Sequence, residues 1–167
     1  TVRGFARFLA RRGLAQPAIA IKGPRAPRPV PRALSAADAL ALLEAGAQDW
    51  TAARDRALFA LLYGAGLRLS EALSLAWRDG EGDSLRVRGK GGKERDLPLL
   101  PQVRSLIRDW RARCPLPRRP GDALFVGARG GRLSARMAQK RMETLRRKLG
   151  LPESATPHAL RHSFATH

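Results

Sequence analysis

Five prolines, Pro17, Pro24, Pro27, Pro29 and Pro31, crowd one short stretch of this 167-residue sequence. Each fixes its own φ and lacks a backbone N–H, so neither a regular helix nor a central strand can pass through them. With Gly23 and basic residues interspersed, residues 15–32 are predicted to be a basic, extended linker. The chain is thereby divided into a short stub and one domain beginning near residue 33. The stub, residues 1–13, reads as an amphipathic helix with Val2, Phe5 and Leu9 on one side and Arg3, Arg7 and Arg11 on the other. What remains is an ordinary single-domain length, and 44% apolar residues in the sequence supply material for a core.

Thirty-two Lys and Arg against fourteen Asp and Glu leave a net charge of +18, which argues for a polyanionic partner. Arginine outnumbers lysine 27 to 5, a bias that a GC-rich genome would also produce, but such a bias would spread evenly. The charge instead segregates. Residues 1–32 carry eight basic and no acidic side chains, residues 33–84 four and eight, and residues 85–167 twenty and six. Nucleic acid fits that footprint better than a membrane surface, because no segment sets a basic face against an apolar face of useful length. No apolar run approaches the ~18 residues of a membrane span, and the first residues show no apolar stretch with a small-residue cleavage site. A cytoplasmic, nucleoid-associated chain is expected. One cysteine, Cys114, excludes an intramolecular disulfide framework and a Cys-rich zinc site.

The domain opens at Ser35, where Ser35-Ala-Ala-Asp38 has the form of a capping box, followed by Leu40, Leu43 and a stop at Gly46. A second, largely buried helix is predicted over 53–63, ending at Gly64-Ala-Gly66, and a third from about Ser70 through Leu73 to Trp77. Two short strands, 85–88 and 95–99, are joined by Gly89-Lys-Gly-Gly-Lys93, a hairpin signal. Pro101 suits the first position of a helix reaching about Arg113. A brief strand over 123–126 runs into the glycine turn 127–131. Ser134 caps a long basic helix that stops at Gly150, and Thr156-Pro157 opens a final one. The fold class is therefore mainly α with a small antiparallel β-sheet.

Three segments bear chemistry, and each is ambiguous alone. The hairpin tip Arg88-Gly-Lys-Gly-Gly-Lys-Glu-Arg95 projects Lys90 and Lys93, but a solvated turn would look the same; GxxxxGK[ST] spacing is absent. Arg68 lies between two apolar helices, bracketed by Leu67 and Leu69, and a guanidinium there needs a partner. Glu71, three residues on, could serve, and so could an oxyanion. In the last helix, His158 and Arg161 stand at i and i+3 within the positive first turn, a reasonable phosphate site. A generic DNA-contacting helix is the rival. A zinc site at His158 and His162 finds no acidic or thiolate third ligand nearby, and His162 alone suits a core histidine.

Taken in order, these segments resemble the tyrosine recombinase (phage-integrase-like) family, and most closely its Xer type. The stretches are Gly64-Ala-Gly-Leu-Arg-Leu-Ser-Glu-Ala-Leu-Ser-Leu75, Arg88-Gly-Lys-Gly-Gly-Lys-Glu-Arg-Asp-Leu-Pro-Leu99 and Thr156-Pro-His-Ala-Leu-Arg-His-Ser-Phe-Ala-Thr-His167. The resemblance implies that residues 33–167 are the catalytic domain, 15–32 the interdomain linker and 1–14 the last helix of an N-terminal core-binding (SAM-like) domain. It assigns catalytic roles to Arg68, Lys90, His158 and Arg161, with Glu71 supporting the first arginine. Arg88, Lys93, Arg95, Arg132, Lys140 and Arg141 are then candidate DNA contacts. The implied activity is site-specific recombination, in chromosome-dimer resolution or DNA integration. A tyrosine attacks phosphorus to give a 3′-phosphotyrosine, the 5′-hydroxyl leaves, and neither metal nor cofactor takes part. The implied partners are a double-stranded recombination site and further recombinase protomers, as a tetramer on two DNA sites.

The sequence departs from the family in two respects: most of the core-binding domain is expected before residue 1, and the end of the catalytic domain beyond residue 167. A Leu-Gly-His-type box and the nucleophilic tyrosine are expected beyond His167, and the sequence's one tyrosine, Tyr63, sits in the apolar helix before Arg68 as a packed core residue would. A catalytic domain lacking its C-terminal part, inactive in cleavage by itself, is expected. The competing function is a non-catalytic DNA-binding protein or regulator on the same fold. An RNA-binding domain is poorly served by one Tyr, five Phe and three Trp.

Overall fold

A computed structural model describes residues 12–13, 34–45 and 49–166. The chain divides into a unit of residues 1–30 and a unit of residues 31–167. Of the first, only a turn at Arg12–Gly13 is described, so the expected stub helix and linker lie outside the described residues.

The second unit is mainly helical. Its elements are α1 (Ala36–Glu44), α2 (Trp50–Gly64), α3 (Leu69–Ser74), β1 (Ser84–Arg88), a 3₁₀ turn (Lys90–Gly92), β2 (Glu94–Pro98), α4 (Pro101–Arg113), α5 (Ala135–Lys148) and α6 (Pro157–Phe164). Strands β1 and β2 pair antiparallel, Ser84 opposite Pro98 and Arg88 opposite Glu94. Leu85 and Val87 face the core, and the opposite face carries the directly paired Arg86 and Asp96, joined at 2.9 and 3.1 Å.

Helix α2 is the hub, packing against α1, α3, α4 and α6. Leu58, Phe59, Leu61 and Leu62 are buried on it, and Trp110 of α4 is buried with its indole N–H donating to the Leu124 carbonyl at 3.0 Å. Ser163 of α6 is also buried; its hydroxyl accepts from Leu34 N at 2.8 Å, which fastens the start of the unit to its last helix.

The capping residues act as the sequence suggests. Ser35, Ser134 and Thr156 accept from Asp38 N, Met137 N and Ala159 N, and Pro101 and Pro157 occupy the first turns of α4 and α6. Helix α1 buries Ala39 and Leu42, whereas Leu40 is half exposed. Three expectations are corrected. Helix α2 begins one turn before residue 53, because the Asp49 carboxylate accepts from Ala52 N at 2.7 Å and caps it there. Helix α3 stops at Ser74 and does not reach Trp77: the Trp77 N–H donates to the Asp122 carbonyl, outside any helix. Residues 123–126 are no ladder strand but make two isolated bridges, Ala76 with Ala123 and Val126 with Arg132.

One buried charged network positions α5. Arg54 donates Nε and Nη2 to Asp55 Oδ1 at 2.9 and 2.6 Å and Nη1 to the Val126 carbonyl at 2.9 Å. Arg141 of α5 donates its Nε to the remaining carboxylate oxygen of Asp55. Both Arg54 and Asp55 are almost wholly buried, so the loss of any partner would strand a charge in the core.

Candidate active site

The site is built around one carboxylate. Glu71 lies in the first turn of α3, and its side chain is 5% exposed. Its Oε1 accepts from Arg68 Nη1 at 2.9 Å and from Arg95 Nη1 at 3.1 Å. Its Oε2 accepts from the Arg68 backbone N–H at 2.8 Å and from Arg95 Nη2 at 2.9 Å. Glu71 thus caps its own helix, holds the Arg68 side chain three residues back, and clamps a guanidinium from β2. Burial alone would raise its pKa; the hydrogen bonds from Arg95, the Arg68 N–H and the Arg68 guanidinium outweigh that and hold it at about 2.

Arg68 enters α3 in an extended conformation two residues after Gly66, whose φ of +61° turns the chain between the two helices. A Cβ on Gly66 would lie 2.5 Å from the Phe164 ring, so the turn is also tight against α6. That approach brings Arg161 of α6 beside the Arg68–Glu71–Arg95 group. Burial, then the Arg68 charge, lowers the Arg161 pKa; Glu71 opposes and Arg95 adds to the lowering. A guanidinium stays protonated nonetheless. Three cations therefore converge on one anion, and Arg161 makes no hydrogen bond or ion pair among the described residues. An oxyanion bound there would relieve the surplus.

A cleft of about 950 Å³ opens over this group, lined by Arg68 and Ser70, by Thr156, His158 and Arg161, and by Arg136, Gln139, Lys140, Glu143 and Arg146 of α5. The α5 residues recur at helical spacing on the face away from buried Ala138 and Leu145, with Met142 between the two faces also lining the cleft. A smaller cleft of about 310 Å³ joins Arg68 and Glu71 to Arg88 and Gly89 at the hairpin. Lys90 opens the 3₁₀ turn at the hairpin tip, where Gly91 and Gly92 both take φ of +77°.

Of the residues singled out from sequence, Arg68, Glu71, His158, Arg161 and Lys140 come together at the cleft system, with Arg88 at its smaller arm. Lys93 is exposed at the end of the turn. Three of the candidate DNA contacts hold partners in the fold: Arg95 on Glu71, Arg141 on Asp55, and Arg132 on the Leu73 carbonyl. Sequence reasoning missed Arg136, Gln139 and Arg146; their common helical face was the available signal. Among the described residues, no three His, Cys, Asp or Glu side chains gather as a metal ion would require, and no helix is long and apolar enough to cross a membrane.

A family model described as the phage integrase family matches residues 32–167. The chain belongs to that family. This phage-integrase-family chain is 52% identical over 174 residues to a tyrosine recombinase XerC of Rhodospirillum centenum, covering 99% of itself and 51% of that relative. It is 49% identical over 175 residues to a tyrosine recombinase XerC of Brucella suis, covering 99% of itself and 56% of the relative. It spans about half the length of the curated relatives it matches. Among solved structures, XerA recombinase is similar at a TM-score of 0.69 and 26% identity, over 99% of this chain and 58% of that one. XerH recombinase bound to palindromic difH substrate, a post-cleavage complex, is similar at a TM-score of 0.67 and 29% identity, over 81% of this chain and 41% of that one.

Proposed function

We propose that residues 33–167 are the catalytic domain of a site-specific DNA recombinase acting on a double-stranded recombination site, alongside further protomers of its kind. The observation that carries this reading is the meeting of Arg68, Arg161 and His158 in one cleft, with a surplus of positive charge over Glu71. Phosphoryl transfer from DNA concentrates negative charge on the non-bridging oxygens of the phosphodiester, and two guanidinium forks suit those oxygens. Arg68 and Arg161 take that role. A tyrosine oxygen attacks phosphorus, the bond to the 5′-oxygen breaks, and Lys90 gives that oxygen its proton. His158 holds the phosphate and assists proton transfer. Rejoining reverses these steps with a different 5′-hydroxyl. The relatives named tyrosine recombinase XerC and the XerH post-cleavage complex on difH support this reading, and chromosome-dimer resolution is the role that the Xer likeness favours.

The site can be tested without a tyrosine. In a nicked duplex, a 3′-p-nitrophenyl phosphate faces a 5′-hydroxyl. The hydroxyl oxygen attacks phosphorus, the aryl P–O bond breaks, p-nitrophenolate leaves, and the hydroxyl proton passes to Lys90. The chain is expected to accelerate both ligation and nitrophenolate release, and Arg68→Ala or Arg161→Ala is expected to slow them by about 10²-fold or more. Acceleration that survives both substitutions, or none at all with the unsubstituted chain, contradicts the reading.

A further inference from the structure

Arg95 comes from β2, separated in sequence from α3 by the whole of β1 and the hairpin turn, yet it takes both oxygens of Glu71, at 3.1 and 2.9 Å. The same two oxygens hold the backbone and side chain of Arg68. The guanidinium also lies against the hairpin backbone: a Cβ on Gly89 would stand 3.1 Å from Arg95 Nη1 and 3.8 Å from Glu71 Oε1. Gly89 N donates to the Lys93 carbonyl at 2.8 Å, closing the turn that contains Lys90. Through one bidentate pair, the arginine that opens α3 and the turn that bears the lysine are fixed to each other.

We propose that Arg95 is a positioning residue: it locks Glu71, and through it sets Arg68 and the Lys90 turn in one geometry, without itself binding DNA phosphate. This rests on the phosphoryl-transfer reading above. Its side chain is 36% exposed, so a direct phosphate contact is the competing role, and the two roles separate in measurement. A guanidinium whose fork is filled by a carboxylate has little left for phosphate, whereas a phosphate contact contributes about 0.9 to the slope of log K against log salt on duplex DNA.

The test uses this chain with Arg95→Gln and Arg95→Lys; the lysine variant keeps the charge and cannot span two oxygens. Four readouts are taken. The salt slope of duplex binding is expected to be unchanged in Arg95→Gln, while Arg161→Gln lowers it by about 0.9. Amide exchange over residues 86–96 is expected to quicken at least about tenfold in both Arg95 variants. The Glu71 carboxyl, followed by NMR, is expected to titrate closer to its ordinary 4.5. Nitrophenolate release is expected to lose about 10- to 100-fold in kcat with KM little changed. A slope lowered by about 0.9 with exchange and titration unmoved would make Arg95 a phosphate contact and overturn the proposal. If the unsubstituted chain neither binds duplex with salt dependence nor releases nitrophenolate, the functional reading fails. The exchange and titration results then still decide for or against the lock.

Discussion

Replacing Glu71 with glutamine removes the one anion that the Arg68 and Arg95 guanidiniums share, and its cost should depend on pH. The carboxyl, ordinarily 4.5, is held at about 2 in the folded chain. A folded pKa depressed in this way adds stability that is fully present above pH 4.5 and is lost as pH falls through about 2. The drop corresponds to about 3 kcal/mol at neutral pH. Glu71 is 5% exposed, which preserves the interaction, while Arg68 and Arg95 are 51% and 36% exposed, which makes that figure an upper bound. By linkage, somewhat under half of it is gone by pH 3.5. Urea unfolding of the native chain and Glu71→Gln, followed by far-UV circular dichroism at pH 7, 4.5 and 3.5, reads this directly. The stability gap between them is expected to be largest at pH 7 and to narrow to about half at pH 3.5. A gap that stays constant across that range would refute the assignment of the stabilisation to an ionised Glu71.

Two further outcomes test how the site is held. Asp55→Asn leaves Arg54 and Arg141 facing a neutral amide in the core and is expected to cost about 3–5 kcal/mol in urea unfolding; a loss under about 1 kcal/mol would mean the network does not fix α5. Gly66→Ala meets both a φ of +61° and a Phe164 ring 2.5 Å from the new Cβ. The backbone alone should cost about 1–2 kcal/mol, and adding Phe164→Ala should recover only the part due to the ring. Full recovery in that double variant would show that the φ is not strained.

Much of the fold was legible because it is locally encoded. Caps at Ser35, Ser134 and Thr156 and prolines at Pro101 and Pro157 announce helix starts through contacts within three residues. The glycines of the hairpin turn likewise declare their own conformation. Apart from the start of α2, which the local Asp49 cap sets, errors arose where a long-range partner decides. Composition carries α3 on to Trp77, but the Trp77 N–H donates to the Asp122 carbonyl. Residues 123–126 have strand composition but no neighbouring strand to continue a ladder. The proposed quartet Arg68, Lys90, His158 and Arg161 rests on motif order. The partners of Arg95 and Arg141 could not, since Glu71 and Asp55 lie 24 and 86 residues away. Arginine recurs so often in the sequence that its type alone carries no information about which copies face a ligand and which hold the fold.

The most direct measurement of the central claim joins this chain to a tyrosine-bearing C-terminal segment of a family member and offers it a nicked recombination site. A covalent adduct at the 3′-phosphate is expected, mapped by mass spectrometry to the added tyrosine and not to Tyr63. Arg161→Ala is expected to abolish that adduct while leaving much of the DNA affinity, because its fork serves the transition state more than the ground state. Adduct formation undiminished by Arg161→Ala, or affinity lost in proportion to cleavage, would contradict the account and leave a DNA-binding module in its place.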